Sequence, residues 1–277
     1  MGIKTVLSIM DAEDFEFDLK QAVDFCTTCD AHLTVVLMVI DPDVYTGTNP
    51  AYSIAYIRQR EEKAATLSRN ARVIGEFLAS TGLSYDVQDV FTEIACVVDD
   101  IADRALYSDL VLVGRQAASK EAFRRFILSG ALFHSPTPVY FDRSGRAFER
   151  TGGTVLVAWD SGNAAAHAVH AAMDLLVSAS LVRVVLIDPL AVKGVNGEEP
   201  GADVATYLAR HGVKVEVDCV ASGGRSTDEV LLERARDAEA KLMVMGAYRH
   251  SRLKERLFGG VTRSMLETDD VALFLSH

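Results

Sequence analysis

The chain lacks most of the features that announce a function. Only four of its 277 residues are cysteine, six are proline and one is tryptophan. No stretch reaches the ~18–20 unbroken apolar residues of a membrane-spanning helix, so no membrane association is expected. Positive charge is scarce as well: 28 Lys and Arg stand against 39 Asp and Glu, a net charge of −11. Duplex nucleic acid and anionic lipid both select a basic face, so neither is an expected partner. A single small basic pocket survives that argument. There is no GxxxxGK[ST] loop, no GxSxG elbow and no HExxH among the seven histidines, which argues against a Walker-type ATPase, a serine hydrolase and a zincin. The opening "MGIKTVLSIMDAEDF" turns acidic at once, unlike a signal peptide. Val6 stands where myristoylation requires Ser or Thr,. The expectation is a soluble, cytoplasmic protein.

Cysteine use points the same way. Cys26 and Cys29 form a CxxC, but they close a helical pattern instead of opening one. The helix-start position that lowers thiol pKa in redox sites is therefore missing. Cys96 and Cys219 stand alone, so no second pair completes a zinc site,. The CxxC is expected to be plain core, and no metal site is expected.

What the chain does have is itself, twice. "KTVLSIMDAEDFEFDLKQAVDF" near the start and "GTVLVAWDSGNAAAHAVHAAMDLL" in the middle are each an apolar run ending in Asp (Asp11, Asp160) and then a helix-period segment. Each continues into a second apolar run ("LTVVLMVIDP", "VRVVLIDP"), later into "DLVLVGR" or "KLMVMGA", and closes on "PVYF" or "VALFLS". The join lies in the charged, glycine-bearing stretch "DRSGRAFERTGG",. Short aliphatic runs alternating with longer helical patterns specify βαβ units and a parallel sheet. The pattern predicts strands near residues 4–10, 33–40, 85–91, 109–114 and 138–141, with helices near 14–30, 52–80, 95–106 and 121–133. In the second half it predicts strands near 154–159, 182–187, 213–220, 241–246 and 271–275, with helices near 163–178, 201–211, 226–238 and 260–267. The fold class is α/β: two tandem doubly wound, Rossmann-like parallel-sheet domains, residues 1–143 and 152–277. The two closing strands are expected to pair, because bare apolar edges invite aggregation.

Ligands of open parallel sheets sit beyond the carboxyl ends of the strands, where strand order reverses. In the second half the first strand ends in Ala158, Trp159, Asp160 and Ser161, and the fourth ends in Gly246. Asp160 can accept from ribose hydroxyls, and Asp160 or Ser161 can equally cap the following helix. Beyond Gly246 the loop carries Arg249, His250 and Arg252, then the pair Gly259 and Gly260, then Val261 and Thr262 opening a helix. Main-chain N–H groups at such a helix start suit phosphate. A turn-rich loop beside a solvated basic face fits the same residues.

The whole chain resembles a tandem universal stress protein. That family's nucleotide signature, Gly-x2-Gly-x9-Gly-Ser/Thr and then an apolar residue, falls on Gly246, Arg249, Gly259 and Gly260, followed by Val261. Two positions depart from it: Arg249 replaces a glycine, and Gly260 replaces Ser or Thr, with Thr262 nearby. The resemblance implies five-stranded units of order 3-2-1-4-5 related by a pseudo-two-fold. It implies an adenine nucleotide (ATP, ADP or AMP, with Mg2+ accompanying it) held by the second domain, with Ile187 lining the adenine site. It permits slow ATP hydrolysis but supplies no base, so the expected role is stress response and regulation, not fast turnover. Arg249 either forks phosphate oxygens or obstructs the pocket. A scaffold for an unknown protein partner, with decayed sites, is the rival reading, and homodimerisation is compatible with both. A phosphorylated receiver domain is not, since the third strands run "DVFTE" and "DCVASGG" without the required terminal Asp.

The first half keeps Asp11 and Gly114, but Gly130 follows at a longer spacing and no glycine pair is present. Its site is expected to be degenerate and blocked by Phe126 and Ile127, with Arg115, Lys120, Arg124 and Arg125 forming a solvated face.

Overall fold

The computed structural model describes residues 2–41, 50–146, 148, 152–189, 199–247 and 260–277. The chain divides into two compact units, Ile3–Thr137 and Pro138–His277, the latter also taking in Gly2.

In the first unit β1 (Thr5–Asp11) pairs in parallel with β2 (His32–Asp41) on one side and β4 (Leu110–Val113) on the other. The edge strand β3 (Tyr85–Glu93) pairs with β2. The order is β3-β2-β1-β4. Val6 through Met10 are all buried, because a central parallel strand is covered on both faces and has no wet side. The crossovers are α1 (Glu16–Cys29), α2 (Pro50–Ala79) and α3 (Val97–Ala105), followed after β4 by α4 (Arg115–Ser119) and α5 (Glu121–Phe133). The helices bury one stripe each: in α3 it is Val97, Ile101, Ala102 and Ala105, a 3.6-residue spacing. Asp30 ends α1 in the left-handed region at φ 53°, a conformation Asp tolerates better than most residues.

The second unit holds β5 (Val139–Phe141) and the repeat of the first: β6 (Thr154–Ala158), α6 (Asn163–Ala171), α7 (Met173–Ser178), β7 (Leu181–Ile187), α8 (Ala202–Arg210), β8 (Val215–Val220), α9 (Thr227–Asp237), β9 (Ala240–Gly246), α10 (Gly260–Met265) and β10 (Ala272–Ser276). From β8 the order is β8-β7-β6-β9-β10, with β5 beyond β10. That is the 3-2-1-4-5 order expected. All these pairs are parallel except β10 with β5. There Leu273, Phe274 and Leu275 face Phe141, Tyr140 and Val139 in antiparallel register. The two closing strands do pair, and all six of these residues are buried.

Two elements differ from the sequence pattern. The helix expected over residues 163–178 is broken into two at Ala172, whose carbonyl accepts both a tight bond from Leu175 N (2.9 Å) and the regular one from Leu176 N (3.0 Å). And α4 has no counterpart in the pattern: five residues carry no periodicity, and tertiary capping holds it together, as described below. The CxxC lies in the last turn of α1, with Cys26 and Cys29 both buried.

Candidate functional site

The carboxyl edge of the second unit's sheet gathers much of what the sequence singled out. Ala158 ends β6 in register with Met245 of β9 and Val185 of β7. Strand order reverses between β6 and β9, so this is the switch point,. Half-buried Trp159 is fixed by its N–H, which donates to Val185 O at 3.0 Å. Asp160 is exposed, and its Oδ1 accepts from Gly162 N at 2.8 Å. That bond makes a tight turn just ahead of α6, whose cap is Gly162 and not a side chain. Ser161 sits between them at φ 58°, a left-handed conformation that costs a non-glycine residue energy and is held by the surrounding turn. Ile187, half-buried, ends β7 at the same edge.

Gly246 closes β9, and its need for glycine is steric. A Cβ there would lie 2.6 Å from Ala165 N and 2.7 Å from the Ala164 carbonyl carbon. The strand end presses on the first turn of α6, where only small side chains stand. Ala247 then anchors the exit through its N–H to Ser276 O (2.7 Å), and its carbonyl accepts from His277 Nδ1 (2.8 Å). Arg249, His250, Arg252 and Gly259 lie outside the described residues. Gly260 is exposed and Val261 half-buried at the start of α10. Thr262 is buried and packs one turn from buried Met265, so its side chain belongs to the helix's inner face.

The same edge of the first unit is built differently. Gly114 ends β4 as Gly246 ends β9, but a Cβ on it would meet Asp18 Oδ1 at 2.5 Å and Gln21 Oε1 at 2.8 Å. Asp18 is buried. Its Oδ1 accepts from Gln116 N and its Oδ2 from Ala117 N, both at 2.8 Å. The Gln116 side chain returns the favour: Oε1 accepts from Phe17 N (2.8 Å) and Asp18 N (3.1 Å). Gln21 Oε1 takes Arg115 N at 3.4 Å. Helices α1 and α4 thus cap each other's first turns, satisfying N–H groups that have no partner within a helix. Around them Gln116 Nε2 donates to Asp14, and Lys120 Nζ pairs with Asp11 (3.2 Å) and Asp14 (3.4 Å).

This corrects two expectations for the first half. Phe126 and Ile127 are not the block: Ile127 is fully buried core, and the space before Gly114 is filled by Asp18 and Gln21. Gly130, whose spacing already departed from the motif, serves the contact of α5 with α3, where a Cβ would strike Ile101 Cγ2 at 2.6 Å. The basic residues are not one solvated face. Arg124 is buried and donates to Ala118 O (3.1 Å), and Lys120 is the ion-pair partner just described, while Arg115 and Arg125 are exposed.

Sequence reasoning also missed the aspartates that end the second strand of each half. Asp41 is buried and accepts from Tyr56 Oη at 2.7 Å. Asp188, at φ 47°, accepts from Ser222 N at 2.9 Å, and its Ser222 hydrogen bonds hold its carboxyl below the usual range. The twice-repeated Ile-Asp-Pro was the available signal. Among the described residues no group of three or more His, Cys, Asp or Glu could hold a metal ion, and no helix is long and apolar enough to cross a membrane.

Residues 153–271 match the family model of the universal stress proteins. The match covers β6 through the end of α10, and with it Asp160, Ile187 and Gly246 of the second-unit edge. The universal stress protein fold extends further than the matched stretch. A universal stress protein from Archaeoglobus fulgidus DSM 4304 superposes with a TM-score of 0.58 at 16% identity, over 98% of this chain and 95% of its own. A functionally unknown protein from Pseudomonas aeruginosa PAO1 does so with a TM-score of 0.56 at 18% identity, over 99% and 92%. At such identities the likeness is one of fold. No curated protein matches the sequence.

Proposed function

We propose that the second unit binds one adenine nucleotide (ATP, ADP or AMP) between Asp160 and the segment from Gly246 to Thr262, and that the protein serves stress response as a regulatory binder and not as a fast enzyme. The observation that carries this reading is the contrast at the switch point. In the unit matched by the universal stress protein model, small residues (Ala164, Ala165) face the strand-ending glycine and exposed Asp160 stands beside them. In the other unit buried side chains fill that place. Asp160 would take the ribose hydroxyls, Ile187 the base, and the loop with its glycine pair the phosphates, with Mg2+ arriving on the nucleotide. The two domains act unequally in this reading: one holds ligand and the other does not.

Calorimetric titration of the full chain with ATP, ADP and AMP tests it. One site per chain is expected, with a change in the fluorescence of Trp159, the chain's single tryptophan. Asp160→Ala should weaken binding about tenfold or more, the order expected for losing a charge-assisted hydrogen bond. Arg249→Glu should weaken ATP more than adenosine if the guanidinium faces phosphate. Arg249→Gly should strengthen binding if it obstructs. Absence of binding by both the native chain and Arg249→Gly would overturn the nucleotide reading and favour a scaffold.

A further inference from the structure

A second hollow lies at the amino end of the second unit's sheet, away from the strand ends described above. It is a cavity of about 190 Å³. Its floor is Val155, Leu242 and Ala272, which stand in one register row across β6, β9 and β10 and so point to one face of the sheet. Its cover is Leu175 of α7 and Ala179, the residue that ends that helix. The space falls beyond the break at Ala172, past α6, the part of the helix that packs on β9 and β10. One side is closed by Tyr140 of β5 and by Phe148, whose rings meet edge to face at 5.6 Å. Two cations, Arg146 and Lys241, complete the lining, and Asp142 is the one carboxylate among the described residues there. Asp142 Oδ1 accepts from Ser144 N (2.8 Å) and Ser144 Oγ (2.7 Å). Arg146 gives one of its five donors to Asp270 O at 3.2 Å. Neither Arg146 nor Lys241 has an ion-pair partner among the described residues.

The first unit closes the same place. "DLVLVG" and "KLMVMG" align, as do "KTVLSIMD" and "GTVLVAWD", so Asp109 corresponds to Lys241 and Lys4 to Gly153. Asp109 Oδ2 accepts from Lys4 N and Thr5 N, both at 2.9 Å. In the second unit a lysine replaces that carboxylate and lies against Gly153, where a Cβ would meet Lys241 Cγ at 2.8 Å. We propose that this cavity binds a small carboxylate with an apolar body, of the size of a single-ring aromatic acid. The carboxylate lies between Arg146 and Lys241, and the body rests on Val155, Leu175 and Leu242. Size, charge and polarity each point to that class. An apolar cavity of roughly 150 Å³ takes benzene, so the space here takes one ring and its carboxylate. The chain carries 39 acidic and 28 basic residues, yet two cations without carboxylate partners line one hollow, and such a hollow draws an anion. The apolar floor and cover offer water no hydrogen bonds, so an apolar body displaces it. Asp142 in the lining disfavours a second carboxylate, which selects monoacids. The site is separate from the proposed nucleotide site, which lies at the opposite ends of the same strands.

Titration of the full chain with benzoate, followed by the methyl resonances in the NMR spectrum, tests this. The methyl groups of Val155, Leu175 and Leu242 should shift saturably, while the fluorescence of Trp159, past the far end of β6, stays unchanged. Lys241→Glu and Arg146→Glu should each weaken benzoate about fivefold, the order expected of exposed charges. Both residues are exposed, so the fold should survive the changes. Ala179→Leu fills the cover and leaves both cations, and it should abolish the shifts. Benzyl alcohol, with the same ring and no charge, should bind about fivefold more weakly than benzoate. Absence of saturable shifts at these methyl groups, unchanged affinity in both charge variants, retained binding in Ala179→Leu, or equal binding of benzyl alcohol would each overturn the carboxylate site.

Discussion

Gly114 and Gly246 stand at the same point of two copies of one fold, and they are glycine for different reasons. Gly246 lies against backbone, the amide nitrogen of Ala165 and the carbonyl carbon of Ala164. Gly114 lies against the side-chain ends of Asp18 and Gln21. "FDLKQAV" and "AAAHAV" align so that Asp18 corresponds to Ala164 and Gln21 to His167. The two units share the strand-end glycine and differ in what it faces. One copy filled the space with a carboxylate that the neighbouring turn grips, and the other left it lined with alanine. A retained motif glycine is thus weak testimony to a retained ligand, because packing alone can require it.

The hardest blow to this comparison should fall on Gly246. A methyl at Gly246→Ala has no side chain to displace and must push α6 away from β9. The expected cost is about 3 kcal/mol, at the upper end for overpacking. Gly114→Ala meets side-chain ends instead of backbone, so it should cost less, about 2 kcal/mol, chiefly by breaking the bonds of buried Asp18 to Gln116 and Ala117,. Urea unfolding of both variants checks the order. Equal losses would mean that the two glycines answer to the same constraint.

Next in size is the pH dependence carried by Asp18. Its folded carboxyl is raised to about 6 from 3.8, chiefly by desolvation. The folded chain therefore binds this proton more tightly than the unfolded one, and stability from this group is present below about pH 4 and lost as pH rises through 6. The full loss is about 3 kcal/mol by linkage. Asp188, Asp228 and Glu233 work in the opposite sense, since hydrogen bonds hold their carboxyls below the usual range. The difference between native protein and Asp18→Asn isolates the one group. Asp18→Asn should gain on the native chain steadily from pH 4 to pH 7 in unfolding free energy. A constant gap would remove the desolvation argument.

Ala164→Asp turns the comparison round. It sets a carboxylate against Gly246, as Asp18 stands against Gly114, and puts negative charge where phosphate is proposed to approach. Nucleotide affinity should fall about tenfold or more, as like charge and lost space act together, while the circular dichroism spectrum stays native. Unchanged affinity in that variant would place the ligand elsewhere than at the strand-end glycine.

The fold was legible because it is written in periods. Runs such as "TVLSIMD" and "LVRVVLI" are too short for helices and too apolar for half-wet strands, and the repeat of their order gave the architecture. The closing strands were legible from their bareness alone. Less of the site could be read. Asp160 and Gly246 fall at the strand ends where the pattern put them, and the loop residues Arg249, His250 and Gly259 lie outside the described residues. What could not be read was the first-unit contact. Asp18, Gln21, Gln116 and Lys120 are ordinary polar residues some hundred positions apart in sequence, and no local periodicity says that two helix starts will cap each other. The charge count misled in the same place: four basic residues within eleven positions looked like surface, yet Arg124 is buried and Lys120 is paired to two aspartates.

The smallest effect is expected where the copies differ without consequence. Cys26 aligns with Ala172, and both are fully buried. Burial, with the neighbouring Cys29 adding to it, pushes the Cys26 thiol up to about 12, so almost none is thiolate at neutral pH and nucleophilic attack by it is suppressed. Cys96 and Cys219 are exposed. Native-state alkylation should therefore label two thiols quickly and leave Cys26 and Cys29 to react only as the chain opens. Cys26→Ala, which copies the second unit's residue, should cost about 1 kcal/mol for the lost sulfur contacts and leave nucleotide binding unchanged. Four fast thiols, stoichiometric zinc, or a reversible disulfide between Cys26 and Cys29 at cytosolic potential would show that the pair has a chemistry its burial argues against, and that the first unit kept more than packing at the end of α1.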